Sequence, residues 1–131
     1  MAHEVYVLTS KKHFLHDFGL QNQLRRAAVS VSSNIVEGYE RNNNNDFIRF
    51  LQIAKGSLGE VRSQLHIARL IEYITELEQR EIDDKLATLS GQIGGFIVYL
   101  EQMRAEKQFI KTRKWRGQLI RNSLIRNPLI L

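Results

Sequence analysis

The residues best suited to chemistry stand near the C-terminus. Lys111, Arg113, Lys114 and Arg116 surround Trp115. Guanidinium and ammonium groups bind phosphate oxygens, and an indole can stack on an unpaired base. Lys107, Arg121 and Arg126 bring the cations of residues 107–131 to seven, with no Asp or Glu among them. Residues 1–106 hold twelve Lys+Arg against fourteen Asp+Glu. The net charge of +5 is therefore the property of an arm on a mildly acidic body. Such an arm suits RNA or single-stranded DNA. The same composition suits an anionic membrane surface, with Trp115, Leu119 and Ile120 as anchors, or a solvated tail that only maintains solubility.

A second polar group is periodic. Arg26, Ser30, Ser33 and Glu37 lie on one stripe of a helix. They predict a structural polar seam, within the chain or between copies, in which an Arg26–Glu37 ion pair fixes helix register. Removing one partner of such a buried pair costs about 3–5 kcal/mol. A catalytic pair tuned by partial burial is the competing reading, and the seam is preferred. Arg25 points about 100° away from Arg26. Its planar fork suits carboxylate or phosphate, so it joins the nucleic-acid-binding candidates while an internal role stays open. Should the arm not carry binding, Arg25, Arg41 and Arg49 are the next cations to consider.

No enzyme constellation converges, and neither a cofactor nor a metal is expected. The glycines form neither GxGxxG nor GxxxxGK[ST]. Gly91, Gly94 and Gly95 interleave with an apolar helical seam and read as tight packing. His3, His13, His16 and His66 include no HExxH pattern. His13 and His16 beside Asp17 read as a solvated loop rather than a metal site. With no cysteine there is no disulfide, thiolate metal site or Cys nucleophile.

The elements that must position these groups are helical. A chain of 131 residues, 43% apolar and 25% charged with one proline, suits one globular all-α domain. No apolar run approaches the roughly 20 residues of a membrane span, and the first residues lack the apolar stretch of a secretory signal. The expected address is the cytoplasm. Residues 2–14 form a first short segment. Asp17 is placed to cap a second over residues 20–39, whose stripe is Leu20, Leu24, Ala27, Val31, Ile35 and Gly38.

The run Asn42, Asn43, Asn44 and Asn45 is a turn whose last member caps a third helix over residues 46–73. Gly56 and Gly59 each cost that helix up to about 1 kcal/mol, which a close helix crossing would offset. Thr75 and Glu78 make a capping box for a fourth helix over residues 76–110. There Ile82, Leu86, Leu89, Ile93, Phe96, Leu100 and Met103 form a strict heptad seam. The expected fold is an all-α, up-and-down antiparallel four-helix bundle over residues 1–110. Residues 111–131 carry a five-residue near-repeat, Leu-Ile-Arg-Asn, which no helix or strand keeps on one face. They read as an irregular basic extension. Helices three and four outreach the first two, and the overhang exposes apolar surface that identical copies would cover.

Residues 23–39, QLRRAAVSVSSNIVEGY, and residues 46–60, DFIRFLQIAKGSLGE, carry a resemblance. Together they resemble the four-helix bundle family of 23S rRNA intervening-sequence proteins. That family includes accessory variability determinants of diversity-generating retroelements. The resemblance spans residues 3–105. It implies an up-and-down four-helix bundle, commonly a ring-like homopentamer, with no catalytic activity. For the retroelement members it implies binding to a reverse transcriptase and to nucleic acid. The first helix starts later here than is usual in the family, and the extension has no counterpart. The combined expectation is a non-enzymatic, homo-oligomeric accessory protein associated with nucleic acid. The alternative is a purely structural ring, for instance one that docks a reverse transcriptase.

Overall fold

The computed structural model describes residues 1–105. Among these residues five helices follow one another: α1 (Ala2–Leu8), α2 (Lys12–Leu15), α3 (Phe18–Glu40), α4 (Asn44–Leu70) and α5 (Glu76–Ala105). The expected end of the last helix near residue 110 and the extension 111–131 lie outside the described residues.

The first segment differs from the single helix expected over residues 2–14. It breaks at Thr9 and Ser10 because their hydroxyls compete for backbone carbonyls. Thr9 Oγ1 donates to the Val5 carbonyl at 2.7 Å and Ser10 Oγ to the Tyr6 carbonyl at 2.8 Å. The chain turns, and the single turn α2 seats Phe14 in the core with no exposed surface.

The capping residues explain the other boundaries. Asp17 accepts from the Leu20 amide at 3.1 Å and starts α3. Asn43, not the expected Asn45, caps α4, accepting from the Asn45 and Asp46 amides at 2.9 and 3.3 Å. Asn42 takes the left-handed conformation, φ 55°, that closes the turn before it. Thr75 and Glu78 form the expected reciprocal capping box, at 3.2 and 2.9 Å.

Short connections make successive helices antiparallel, and cross-helix pairs fix their register. Ser30 meets Ser57 at 2.9 Å between α3 and α4. Arg62 meets Asp83, and Arg104 meets Asn45, between α4 and α5. Glu4 pairs with Lys85 and Lys11 with Glu78, which closes the first segment onto α5. The result is an all-α, up-and-down bundle in which α1 and α2 together fill the first position. Its core runs along Leu24, Val31, Leu51, Leu58, Leu65, Leu86, Ile93 and Leu100. The heptad seam of α5 is buried from Ile82 to Leu100, while Met103 is only half-buried.

The glycines behave differently from the expectation. Among the described residues, a Cβ at Gly56, Gly59, Gly91 or Gly95 would meet nothing within 4 Å, so these four serve no crossing between the described helices. At Gly94 the nearest atom would be Lys55 Nζ at 3.3 Å. The close crossing is at Gly38, where a Cβ would lie 2.7 Å from Phe50 Cβ and 2.9 Å from Phe47 Cδ2. Gly38 needs its missing side chain for backbone approach; its φ is not positive.

Candidate nucleic-acid interface

Of the expected nucleic-acid-binding residues, Lys107, Lys111, Arg113, Lys114, Trp115, Arg116, Arg121 and Arg126 lie outside the described residues. Arg25 lies within them and is half-buried. Its Nε donates to Thr9 Oγ1 at 2.8 Å and its Nη2 to Ser10 Oγ at 3.3 Å. The guanidinium stands 4.7 Å from the centre of the Tyr6 ring. Gln21 adds a bond from Nε2 to the Thr9 carbonyl at 2.8 Å. Together they fasten the broken first segment to α3. The hydroxyls freed at the break supply acceptors for Arg25.

The stripe Arg26, Ser30, Ser33 and Glu37 does not form a seam inside the chain. Arg26, Ser33 and Glu37 are exposed. The expected Arg26–Glu37 pair is replaced by Glu37–Arg41, with Arg41 Nη2 at 2.7 Å and Nε at 2.9 Å from Glu37 Oε1. A spacing of four places Arg41 one turn along the same face, and Arg26 is three turns away. Only Ser30 makes a helix-to-helix bond, to Ser57, supported by Asn34 Nδ2 at 2.9 Å. The stripe therefore lies beside the outer α3–α4 groove.

The α3–α4 turn gathers a different set. The guanidiniums of Arg41 and Arg49 stand over the Phe50 ring, 5.3 and 5.0 Å from its centre. Arg104, at the end of α5, donates to Asn45 Oδ1 at 3.3 Å. Phe50 is half-buried, and both cations stand against its ring. Phe50 and Arg104 are not site candidates by sequence, because an apolar helix position and a last-turn arginine have ordinary structural uses. The adjacent pair Arg49-Phe50 was the available signal.

Elsewhere on the bundle, Lys11, Arg62, Arg80 and Lys85 are matched to carboxylates. Arg62 Nε and Nη2 make a two-pronged contact with Asp83, at 2.6 and 3.0 Å. The hydrogen bond from Arg62 holds the Asp83 carboxyl below its ordinary range. Glu78 is lowered by its hydrogen bond from Lys11 and by the Thr75 amide. Burial works against ionisation of Glu4, yet the Lys85 ammonium and the chain's terminal ammonium prevail and lower it.

A hollow of 540 Å³ at the α4–α5 connection is lined by Lys11, His13, Arg69, Glu72, Tyr73 and their neighbours. His13 stacks on Tyr73 at 5.5 Å, and Tyr73 Oη donates to Asp17 Oδ2 at 3.2 Å. Desolvation and that carboxylate raise the Tyr73 phenol. Its cations and carboxylates are of mixed sign and give no selective ligand. Among the described residues no cluster of three His, Asp or Glu side chains could hold a metal ion. No helix among them is long and apolar enough to cross a membrane.

Residues 1–95 match the sequence profile of a family described as 23S rRNA-intervening sequence protein. No curated protein matches the chain.

Proposed function

This chain belongs to the 23S rRNA-intervening sequence protein family, and from that premise we propose that it is a non-enzymatic, homo-oligomeric accessory protein that binds nucleic acid in the cytoplasm. The observation that carries this reading is the charge split. Seven cations and no carboxylate follow residue 106, on a body in which carboxylates outnumber cations. The body by itself repels a polyanion at long range, so residues 107–131 supply the attraction. Trp115 adds a base-stacking surface among Lys111, Arg113, Lys114 and Arg116. Repetition of weak arms on one assembly multiplies their effect through local concentration.

Assembly of copies is supported by what the chain leaves uncovered. Val29 and Val36 of α3, with Ile53, Ile67 and Leu70 of α4, are 42–60% exposed. Among the described residues nothing stands opposite Gly56, Gly59, Gly91 and Gly95, although each costs its helix up to about 1 kcal/mol. A crossing with a second copy would use both features, and a ring of five is the form that the family resemblance implies. The polar stripe Arg26, Ser33 and Glu37 would then lie between subunits.

The test compares the full chain with a chain ending at Glu106. Both are first checked for equal helicity and equal mass by light scattering. Anisotropy of labelled RNA and single-stranded DNA should show binding by the full chain only, with log K falling by about 0.7 per contact per decade of salt. Equal affinity of the two chains would move the site into the bundle. Binding by neither would favour the second reading, a purely structural ring that docks a partner such as a reverse transcriptase.

A further inference from the structure

Resting on the nucleic-acid reading above, we propose that the α3–α4 end of the bundle is a phosphate-binding face for single-stranded nucleic acid, built from Arg49, Arg104 and Arg41.

The placement of the chain's exit is the first reason. Arg104 reaches Asn45 at the start of α4, so α5 ends beside the α3–α4 turn. The chain continues from Ala105 into the stretch that holds seven cations. A strand attracted by that stretch is therefore delivered to this end of the bundle, not to the α4–α5 end some thirty residues of helix away.

The state of the arginines is the second reason. Arg49 has no carboxylate partner among the described residues, and the acceptor of Arg104 is a neutral amide. Arg41 shares Glu37 Oε1 through Nε and Nη2, which leaves Nη1 unused by that pair. At the other end, Lys11 and Arg80 are matched to Glu78 and Glu76. The carboxylates around the proposed face are Glu37, Glu40, Asp46 and Glu101. Only Glu37 is tied to one of its arginines by an ion pair.

The Phe50 ring is the third reason. A cation–π contact with the ring restrains each guanidinium and leaves N–H groups available for a further acceptor. Arg41 and Arg49 are thus pre-organised for planar phosphate contacts, and less rotamer freedom is lost on binding. The face positions the backbone without reading bases, and the extension provides the long-range attraction.

The test keeps the whole chain, extension included. An Arg49→Gln/Arg104→Gln variant is compared with an Lys12→Gln/Arg80→Gln control of equal charge change at the opposite end. Circular dichroism and light scattering confirm an unchanged fold and mass. With a labelled single-stranded RNA oligonucleotide, the first variant should bind about tenfold more weakly, and its salt slope should fall by about 0.7 per lost contact. The control should match the unaltered chain. A second measurement uses 4-thiouridine RNA, which should crosslink within residues 41–50 or beside Arg104. Equal loss in both variants, no loss in either, or crosslinks confined to residues 107–131 would overturn this inference while leaving the nucleic-acid function intact. Failure of the unaltered chain to bind RNA, including binding only to anionic vesicles, would overturn both.

Discussion

Gly38 of α3 and Phe50 of α4 approach so closely that a methyl group on the glycine would sit 2.7 Å from the phenylalanine Cβ. A Cβ cannot swing aside as the end of a long side chain can. The crossing therefore sets the spacing of α3 and α4 next to the turn that joins them, and it fixes where the Phe50 ring holds Arg41 and Arg49. Gly38→Ala gains helix propensity of up to about 1 kcal/mol but pushes the two backbones apart. Overpacking should win, with a net loss of about 1–3 kcal/mol in urea unfolding. An unchanged or raised midpoint would show that the two helices can separate freely.

Gly56 presents the opposite case. A Cβ there meets nothing within 4 Å among the described residues. Gly56→Ala should stabilise an isolated chain by about 0.5–1 kcal/mol. If copies pack against this face, the same change should lower the mass seen in light scattering. Stabilisation at unchanged mass would place Gly56 outside any subunit interface.

Arg25→Ala removes the donors that hold Thr9 and Ser10 and leaves a fully buried hydroxyl with one partner fewer. The expected cost is about 1–3 kcal/mol. Nucleic-acid affinity should not change once the fold is intact. A large loss of RNA binding at unchanged stability would place Arg25 among the binding residues.

Arg26→Ala separates two places for the polar stripe. Arg26 is exposed, so the stability of a single chain should change by no more than about 0.5 kcal/mol. A burial cost of the size expected for an internal ion pair is excluded by its position within the chain. Loss of oligomer mass, read by light scattering, would locate it between subunits.

The carboxylates predict the acid limb of stability. Glu4, Glu78 and Asp83 have lowered values in the folded chain. A lowered folded value stabilises above the unfolded value and is lost as pH falls through the folded one. Unfolding free energy should therefore decline below about pH 5. Arg62→Gln should flatten the part of that decline due to Asp83, because its main lowering contact is gone. An unchanged pH profile would show that Asp83 does not depend on Arg62.

Local periodicity was sufficient for most of the fold. The heptad from Ile82 to Leu100, the stripe of α3, and the caps at Asp17 and Thr75 are all readable from spacing, since each depends on neighbours within a few turns. The charge split between body and extension is equally a property of the sequence. Tertiary structure decided what depends on partners far along the chain. It chose Gly38 over Gly56 as the crossing, because a glycine's use depends on what stands opposite. It broke the first helix at Thr9, where a buried hydroxyl found both a backbone carbonyl and Arg25. It gave Glu37 to Arg41 instead of Arg26, and it brought Arg104 beside Asn45, at the turn where Phe50 carries two arginines. Spacing reports which residues share a face, but the partner that meets that face is chosen by packing between helices.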